Sequence, residues 1–445
     1  MRGIQTKFEK HIKSNSLFSK LDKLLAAVSG GKDSMLMVHL LVEAGYDISV
    51  AHCNFQLRGD DSLGDEKFVK LYCKEHGIPF FSTKFDTKKY AKQNKYATQE
   101  AARNLRYEWF EELYNKHGFN YILTAHHKDD NLETILHNLV KGSKLRGYAG
   151  IWEKRAHVAR PMLCYNRKEI DTICKELSIE WREDVSNKSN DYSRNFLRHE
   201  VIPLLKKINP NIEETVYDNS RATQQYIDFI AINLSEIEKK CIKKKKEYLY
   251  IQIDKLLKNK VNEVLLWEIL KKYGFNYATS QSIFLSFQSQ SGKIWETTSH
   301  QILKDRECLI LREKMERKLP IYKITEEQIG SFRQKVGDRE LQIQHASNDV
   351  LLGPTAIAIA KKKLSYPITL RLWKPSDKIM LKGMNGAKKV SDLLTDLKMN
   401  LFDKEQVFVI QNSDGELVNI DFLRTSKNFM ASENNENNLI ISTVK

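Results

Sequence analysis

Four stretches of this 445-residue chain hold residue types at spacings suited to chemistry. The first is Ser29-Gly30-Gly31-Lys32-Asp33-Ser34, set between the apolar run Leu24–Val28 and the helix-like run Met35–Glu43. Consecutive glycines let backbone N–H groups converge on an anion, and a helix starting there adds the positive end of its dipole. The site reads as a phosphate cradle, although it lacks the G-x-x-x-x-G-K-S/T spacing of a Walker A loop. The second is His126-His127-Lys128-Asp129-Asp130-Asn131-Leu132-Glu133-Thr134. At helical spacing Asp130 and Glu133 share a face, as do Asp129 and Glu133. Dipole stabilisation at a helix start explains one such acid, but not three beside two histidines. The spacing is not H-E-x-x-H and no cysteine is near in sequence, which disfavours zinc. In the third stretch, Ala101–Phe110, the aromatics and Leu105 read as a core stripe, and Arg103 and Arg106 at i, i+3 are placed to reach a phosphate together. The fourth joins Glu183-Asp184-Val185-Ser186-Asn187 to Arg194 and Arg198 at i, i+4, for which surface ion pairing is the default reading.

Positioning these groups requires a frame. Leu24–Val28, Ile48–Cys53, Pro79–Thr83 and Tyr121–Thr124 are short apolar runs, and amphipathic segments such as Asp65–His76 and Thr98–His117 lie between them. This alternation predicts an α/β fold with a parallel sheet and helices on both faces. Ligands in such sheets bind beyond the carboxyl ends of the strands. The polar segments Ser29–Ser34, Asn54–Gly59 and His126–Glu133 follow three of those ends and should meet over one crevice. From Asn209–Pro210 the texture becomes mainly helical, with basic residues at Lys239, Lys240 and Lys243–Lys246. The expected division is 1–208, an α/β domain; 209–316, a helical domain; 317–364, a linker; and 365–445, a small α+β domain. Ser432–Asn438 reads as a loop.

The chain carries 72 basic against 57 acidic residues, a net charge of +15, which favours a polyanionic partner such as nucleic acid. Its six cysteines include no C-x-x-C pair and read as reduced thiols of a cytoplasmic protein. No secretory signal and no bilayer-spanning run are visible, so no membrane partner is expected.

The order of the motifs says more than any one of them. Ser29–Ser34 is the signature of the PP-loop, or N-type ATP pyrophosphatase, group. It is followed by His52-Cys-Asn-Phe-Gln-Leu-Arg-Gly59, Ala101-Ala-Arg-x-x-Arg-Tyr107, His126-His-x-Asp-Asp-x-x-Glu-Thr134, Arg160-Pro161, Glu183-Asp-x-Ser-Asn187 and Arg194-Asn-x-x-Arg198. The series resembles the tRNA(Ile)-lysidine synthetase family over residues 20–210. Arg371–Asp377 and Lys388–Lys398 are similar to the family's tail, with Ser376 standing where glycine is usual.

That resemblance implies a cytoplasmic ligase that joins L-lysine to C2 of the wobble cytidine of a tRNA(Ile) with a CAU anticodon. ATP would be split to AMP and pyrophosphate by way of an adenylated cytidine. By the same resemblance Ser29, Gly30, Gly31, Lys32, Asp33 and Ser34 hold ATP, and Asp33 holds Mg2+. Arg106 acts in catalysis with Asp33, Asp130 and Glu133, and Asp130 and Glu133 receive lysine. Arg103, His126, Arg194 and Arg198 are contacts to AMP, phosphate or lysine. The base that deprotonates lysine stays open among Asp130, Glu133, His126 and His127. Residues 209–316 and 365–445 would grip tRNA, and a homodimer is a possible assembly. A tRNA 2-thiolating PP-loop enzyme is the nearest rival, but it pairs the loop with cysteine sets that are missing here. An RNA-binding module that senses ATP without turnover is a second rival, against which intact Asp33, Asp130 and Glu133 argue.

Overall fold

The computed structural model describes residues 2–57, 59–182, 193–314, 320–336, 339–346, 356–431 and 438–444. The motif Glu183–Asn187, Arg58 and most of Ser432–Asn438 lie outside them. The chain forms two compact units, Met1–Ile232 and Asn233–Lys445.

The first unit is built on a six-stranded sheet. Its elements are α1 (Arg2–Ser14), β1 (Leu24–Ala27), α2 (Lys32–Glu43), β2 (Ile48–Asn54), α3 (Asp60–Glu75), β3 (Phe80–Lys84), α4 (Thr87–Asn94), α5 (Thr98–His117), β4 (Tyr121–Leu123), α6 (Lys128–Val140), α7 (Leu145–Tyr148), β5 (Lys154–Arg155), β6 (Val158–Ala159) and α8 (Arg167–Glu176). Strand order is β3-β2-β1-β4-β6-β5, and every pair is parallel except the β5–β6 hairpin. Alternate β1 residues point to opposite faces, as strand geometry demands. Leu24 and Ala26 pack with Leu36, Leu40, Ile170 and Ile173 on one side. Leu25 packs with Phe110, Leu113 and Ile122 on the other. After β1 the chain runs outward to β2 and β3, then returns to place β4 on the opposite flank. The gap between β1 and β4 is therefore a topological switch point, where such sheets open a crevice. The two most polar motifs follow these two strands.

The unit closes with α9 (Ser193–Phe196), a π-helical turn (Leu197–Val201), α10 (Ile202–Ile208) and the start of α11 (Ile212–Cys241). The early turns of α11 are tied to α6 and to the residue that follows α7. Buried Lys128 pairs with Glu214, Asn131 Nδ2 donates to Ser220 Oγ at 3.1 Å, and Gln224 Nε2 donates to the Ala149 carbonyl at 2.7 Å.

The second unit contains the expected helices, here the end of α11, α12 (Ile253–Lys258), α13 (Glu263–Leu270) and α14 (Tyr277–Leu285). With them comes an unanticipated antiparallel sheet of β7 (Ile242–Lys245), β8 (Tyr248–Gln252), β9 (Ile294–Glu296), β10 (His300–Asp305) and β11 (Cys308–Glu313), in the order β7-β8-β11-β10-β9. The stretch 317–364, expected to be a linker, instead supplies strands Tyr322–Ile324, Arg333–Val336, Arg339–His345 and Ala356–Ala360 to two further sheets. Ile324, Val336, Leu341, Ile343 and Ile359 are buried there, in a core shared with Ile368, Phe408 and Ile441. Alternating apolar residues thus commit the stretch to β structure. All six cysteines are free thiols, with Cys73, Cys164, Cys174 and Cys241 buried. Among the described residues no helix is long and apolar enough to cross a membrane.

Candidate active site

The loop after β1 is shaped by Gly30, whose φ of +90° lies where side-chain-bearing residues are strained. A Cβ there would also stand 3.3 Å from Val69 Cγ2. Gly31 caps α2, and no side chain closes the cap. The first helical N–H is taken up when Met35 bonds back to the Gly31 carbonyl at 3.0 Å, so the amides just before it have no partner within the helix. These donors sit at the positive end of a 12-residue helix. The serines brace the turn: Ser34 Oγ donates to the Gly31 carbonyl at 2.9 Å and lies 3.3 Å from Ser29 Oγ.

A cavity of about 610 Å³ opens over this loop. Ser29, Gly31, Lys32, Asp33, Ser34, Arg106, His126 and Asp130 line it, as do Tyr107, Arg167, Trp181 and Arg182. Gly30 does not reach the wall; its carbonyl accepts the Arg182 N–H at 3.0 Å. Lys32 is drawn sideways, with its Nζ 2.7 Å from Asp171 Oδ1 and 4.6 Å from the centre of the Trp181 ring. Asp33 is clasped by Arg167, Nη1 to Oδ1 at 2.6 Å and Nη2 to Oδ2 at 3.2 Å.

A second cavity, of about 420 Å³, adjoins the first. Arg103, Glu133, Arg194 and Arg198 line it, together with Arg155, Arg160 and Trp152. Tyr107, His126 and Asp130 line both cavities and form their common wall. Arg103 and Arg106, expected to reach a phosphate together, line different but adjoining cavities. Along α5, Arg106 lines the first cavity and Arg103 the second, with Tyr107 on the common wall.

Buried His127 is the electrostatic centre of the acidic motif. Its Nε2 lies 3.5 Å from Asp130 Oδ2 and 3.8 Å from Asp33 Oδ2, and its Nδ1 lies 3.6 Å from Asp129 Oδ2. Burial disfavours the imidazolium, but Asp130, Asp129 and Asp33 overcome it and raise the His127 pKa above 6.5. His126 behaves oppositely. Burial, aided by Arg160, His127 and Arg106 against the pull of Asp130, lowers it to about 4, and its Nδ1 lies 2.9 Å from Thr124 Oγ1.

The three acids differ as well. Burial opposes ionisation of Asp129, yet His127, the Arg167 amide and Lys206 hold it down at about 2. Asp130 is also lowered, with His127 and His126 outweighing burial. Glu133 is raised, because burial outweighs Arg198, which grips it bidentately from the π-helical turn at 2.5 and 2.9 Å.

Arg167, Trp181, Arg182, Arg155 and Trp152 line these cavities without having been singled out from the sequence. Arg167 did carry a signal. It is the first residue of α8, where the dipole disfavours a cation, so some anion must hold it there. Two do, since its backbone N–H also donates to Asp129 Oδ2 at 2.7 Å.

Known proteins are similar to this chain over most of its length. Residues 2–205 match the PP-loop domain model, and residues 244–314 match the TilS substrate binding domain. The tRNA(Ile)-lysidine synthase of Bacteroides thetaiotaomicron is 34% identical over 92% of this chain and 92% of that protein. The tRNA(Ile)-lysidine synthase of Parabacteroides distasonis is 33% identical over 97% of this chain and 98% of that protein. The chain belongs to the tRNA(Ile)-lysidine synthase family. Like its relatives, this tRNA(Ile)-lysidine synthase family member is an enzyme of the ligase type, and its first unit is a PP-loop domain that uses ATP. The shares covered show that the likeness spans nearly the whole of both chains.

Proposed function

We propose that the chain attaches L-lysine to the wobble cytidine of a tRNA(Ile) with a CAU anticodon, at the expense of ATP. The observation that carries this reading is the pair of adjoining cavities with a common wall of Tyr107, His126 and Asp130. One cavity has the uncapped amides of α2 for phosphates. The other holds arginines and two acids, complementary to both ends of a zwitterionic amino acid. Two reactions that pass one base between them need such a shared wall.

In the first step the cytidine O2 attacks the α-phosphorus of ATP, the bond to the β-phosphate oxygen breaks and pyrophosphate leaves. Loop amides and Arg106 would stabilise charge on the transferring group, which costs little reorganisation because they are already fixed. In the second step the lysine ε-nitrogen attacks C2, the C2–O bond breaks and AMP leaves. The ε-ammonium, with an ordinary pKa of about 10.4, must first shed a proton. The acids around His127 favour its charged form and the two histidines push Asp130 downward, which disfavours both as acceptors. Glu133, pushed upward, and neutral His126 remain as the acceptors. The lysine carboxylate would meet Arg194 or Arg198.

Asp33 and Asp130 are hard oxygen donors on the wall of the phosphate cavity and suit Mg2+. Such an ion would neutralise phosphate charge there. Among the described residues no three ligating side chains converge on one point, so ATP oxygens would complete its shell.

The test is incubation with ATP, radiolabelled lysine and a panel of tRNAs. Label should be retained by the CAU-anticodon tRNA(Ile) alone, and Asp33→Ala should abolish labelling without unfolding the protein. Labelling of no tRNA, or normal labelling by Asp33→Ala, would overturn the reading.

A further inference from the structure

The residue proposed to hold the metal has both carboxylate oxygens occupied. Arg167 Nη1 and Nη2 donate to Asp33 Oδ1 and Oδ2 at 2.6 and 3.2 Å. A guanidinium clasping both oxygens and a divalent cation on the same oxygens exclude each other, by space and by like charge. The clasp is not locked in a core. The Arg167 side chain is 39% exposed and that of Asp33 28%, and both line the phosphate cavity. The Arg167 backbone is fixed independently, through its N–H on Asp129 Oδ2 at 2.7 Å. The side chain can therefore swing while its root stays in place. The cavity it would swing into is the one faced by the uncapped amides of α2.

We infer that Arg167 is an exchangeable counter-ion: it neutralises Asp33 while the loop is empty and transfers to the phosphates when ATP arrives with its metal. This rests on the reading that the loop takes ATP with Mg2+ at Asp33. Two consequences follow from the exchange. Free metal is kept off Asp33, because it must displace a bidentate cation and offers that cation no anion in exchange. Metal together with triphosphate enters readily, because the incoming phosphates offer the guanidinium a bidentate partner of its own. Arg167 thus couples metal binding to nucleotide binding, and it is a phosphate ligand of the loaded site. Lys32 follows the same pattern on a smaller scale, resting on Asp171 beside the loop.

The experiment uses Mn2+ as the probe, titrated into the full chain without nucleotide and followed by electron paramagnetic resonance. Arg167→Gln should bind Mn2+ about tenfold or more tightly than the unmodified protein, since it frees Asp33. The double variant Asp33→Asn with Arg167→Gln should lose that gain. Arg167→Lys keeps a cation at Asp33 and should bind Mn2+ as weakly as the unmodified protein. With tRNA and lysine present, Arg167→Gln should raise KM for ATP about tenfold and lower kcat, and Arg167→Lys should recover only part of either, lacking the bidentate fork. Melting temperatures of both variants should stay near that of the unmodified protein, because the backbone bond to Asp129 persists. Unchanged Mn2+ affinity in Arg167→Gln overturns the exchange, and so does an unchanged KM for ATP. Should the chain attach lysine to no tRNA, the functional reading falls while the Mn2+ comparison still decides whether Arg167 guards Asp33.

Discussion

At the scale of single residues, the two adjacent histidines show how neighbours set charge. His126 is lowered to about 4 and is neutral at pH 7, whereas His127 is raised by the acids around it. A raised histidine pKa contributes stability in full below its unfolded value, about 6.5, and that contribution is lost as pH rises through the folded value. Melting temperatures measured from pH 6 to pH 9 should therefore fall for the unmodified protein, and His127→Gln should flatten that part of the profile. An equal slope in both proteins would remove His127 as its origin. Asp129, lowered to about 2, works in the other direction: its contribution is present above about 3.8 and is lost between there and pH 2. Arg198→Ala should destabilise the fold by about 1–3 kcal/mol, less than a fully buried pair because Arg198 is a third exposed. Chemical denaturation measures this, and the same change at Arg194 should cost far less. These residues show what the sequence disclosed and what it did not. Asp33, Asp130 and Glu133 stand out from their motifs alone. Their pairing with arginines does not, even though Arg198 belongs to a motif of its own, because Arg167 lies 134 residues from Asp33 and Arg198 lies 65 from Glu133. Pairings that distant are made by the sheet topology and leave no local spacing to read.

At the scale of elements, the turn from β1 into α2 makes its two glycines unequal. Gly30 has φ of +90° and its missing Cβ would press on Val69, whereas Gly31 sits in ordinary extended backbone and would meet only Ser29 Oγ at 3.4 Å. Gly30→Ala should cost about 1–3 kcal/mol of stability through backbone strain, and Gly31→Ala much less. Equal losses in thermal unfolding would mean that the turn is not held as described. Gly150, on the wall of the second cavity, is tighter still, since a Cβ there would lie 2.0 Å from Asn131 Oδ1. The strands leading into the two motifs were readable because apolar runs end at glycine or histidine-rich punctuation. The β7–β11 sheet was not. β7 reads Ile-Lys-Lys-Lys and follows directly on α11, so it passes for a solvated helix end. In the fold it is the outermost strand of its sheet, where lysines blunt an edge that would otherwise pair with other chains. Periodicity cannot separate a charged edge strand from a charged helix end, because neither presents an apolar repeat.

At the scale of the whole molecule, the surplus of 15 positive charges bears on association rather than on fold. A protein that neutralises phosphates releases condensed counter-ions, so the logarithm of its affinity falls linearly with the logarithm of salt. If this chain grips tRNA through both units, that slope should be steep, and residues outside the cavities should account for part of it. Lys243, Lys244 and Lys245 are suitable probes: they are exposed, they lie on an edge strand, and Lys244 and Lys245 open the region that matches the substrate binding domain model, with Lys243 directly before it. Replacing all three by glutamine should make the slope shallower by about 2–3, at about 0.7–0.9 for each phosphate no longer neutralised. Filter binding of tRNA across a salt series measures it. The turnover number at saturating tRNA should stay within about twofold, because weaker uniform binding raises KM and leaves kcat alone. A slope that does not change would mean that these lysines serve only to protect the sheet edge. A fall in kcat at saturation would mean that they act on the chemistry as well as on binding.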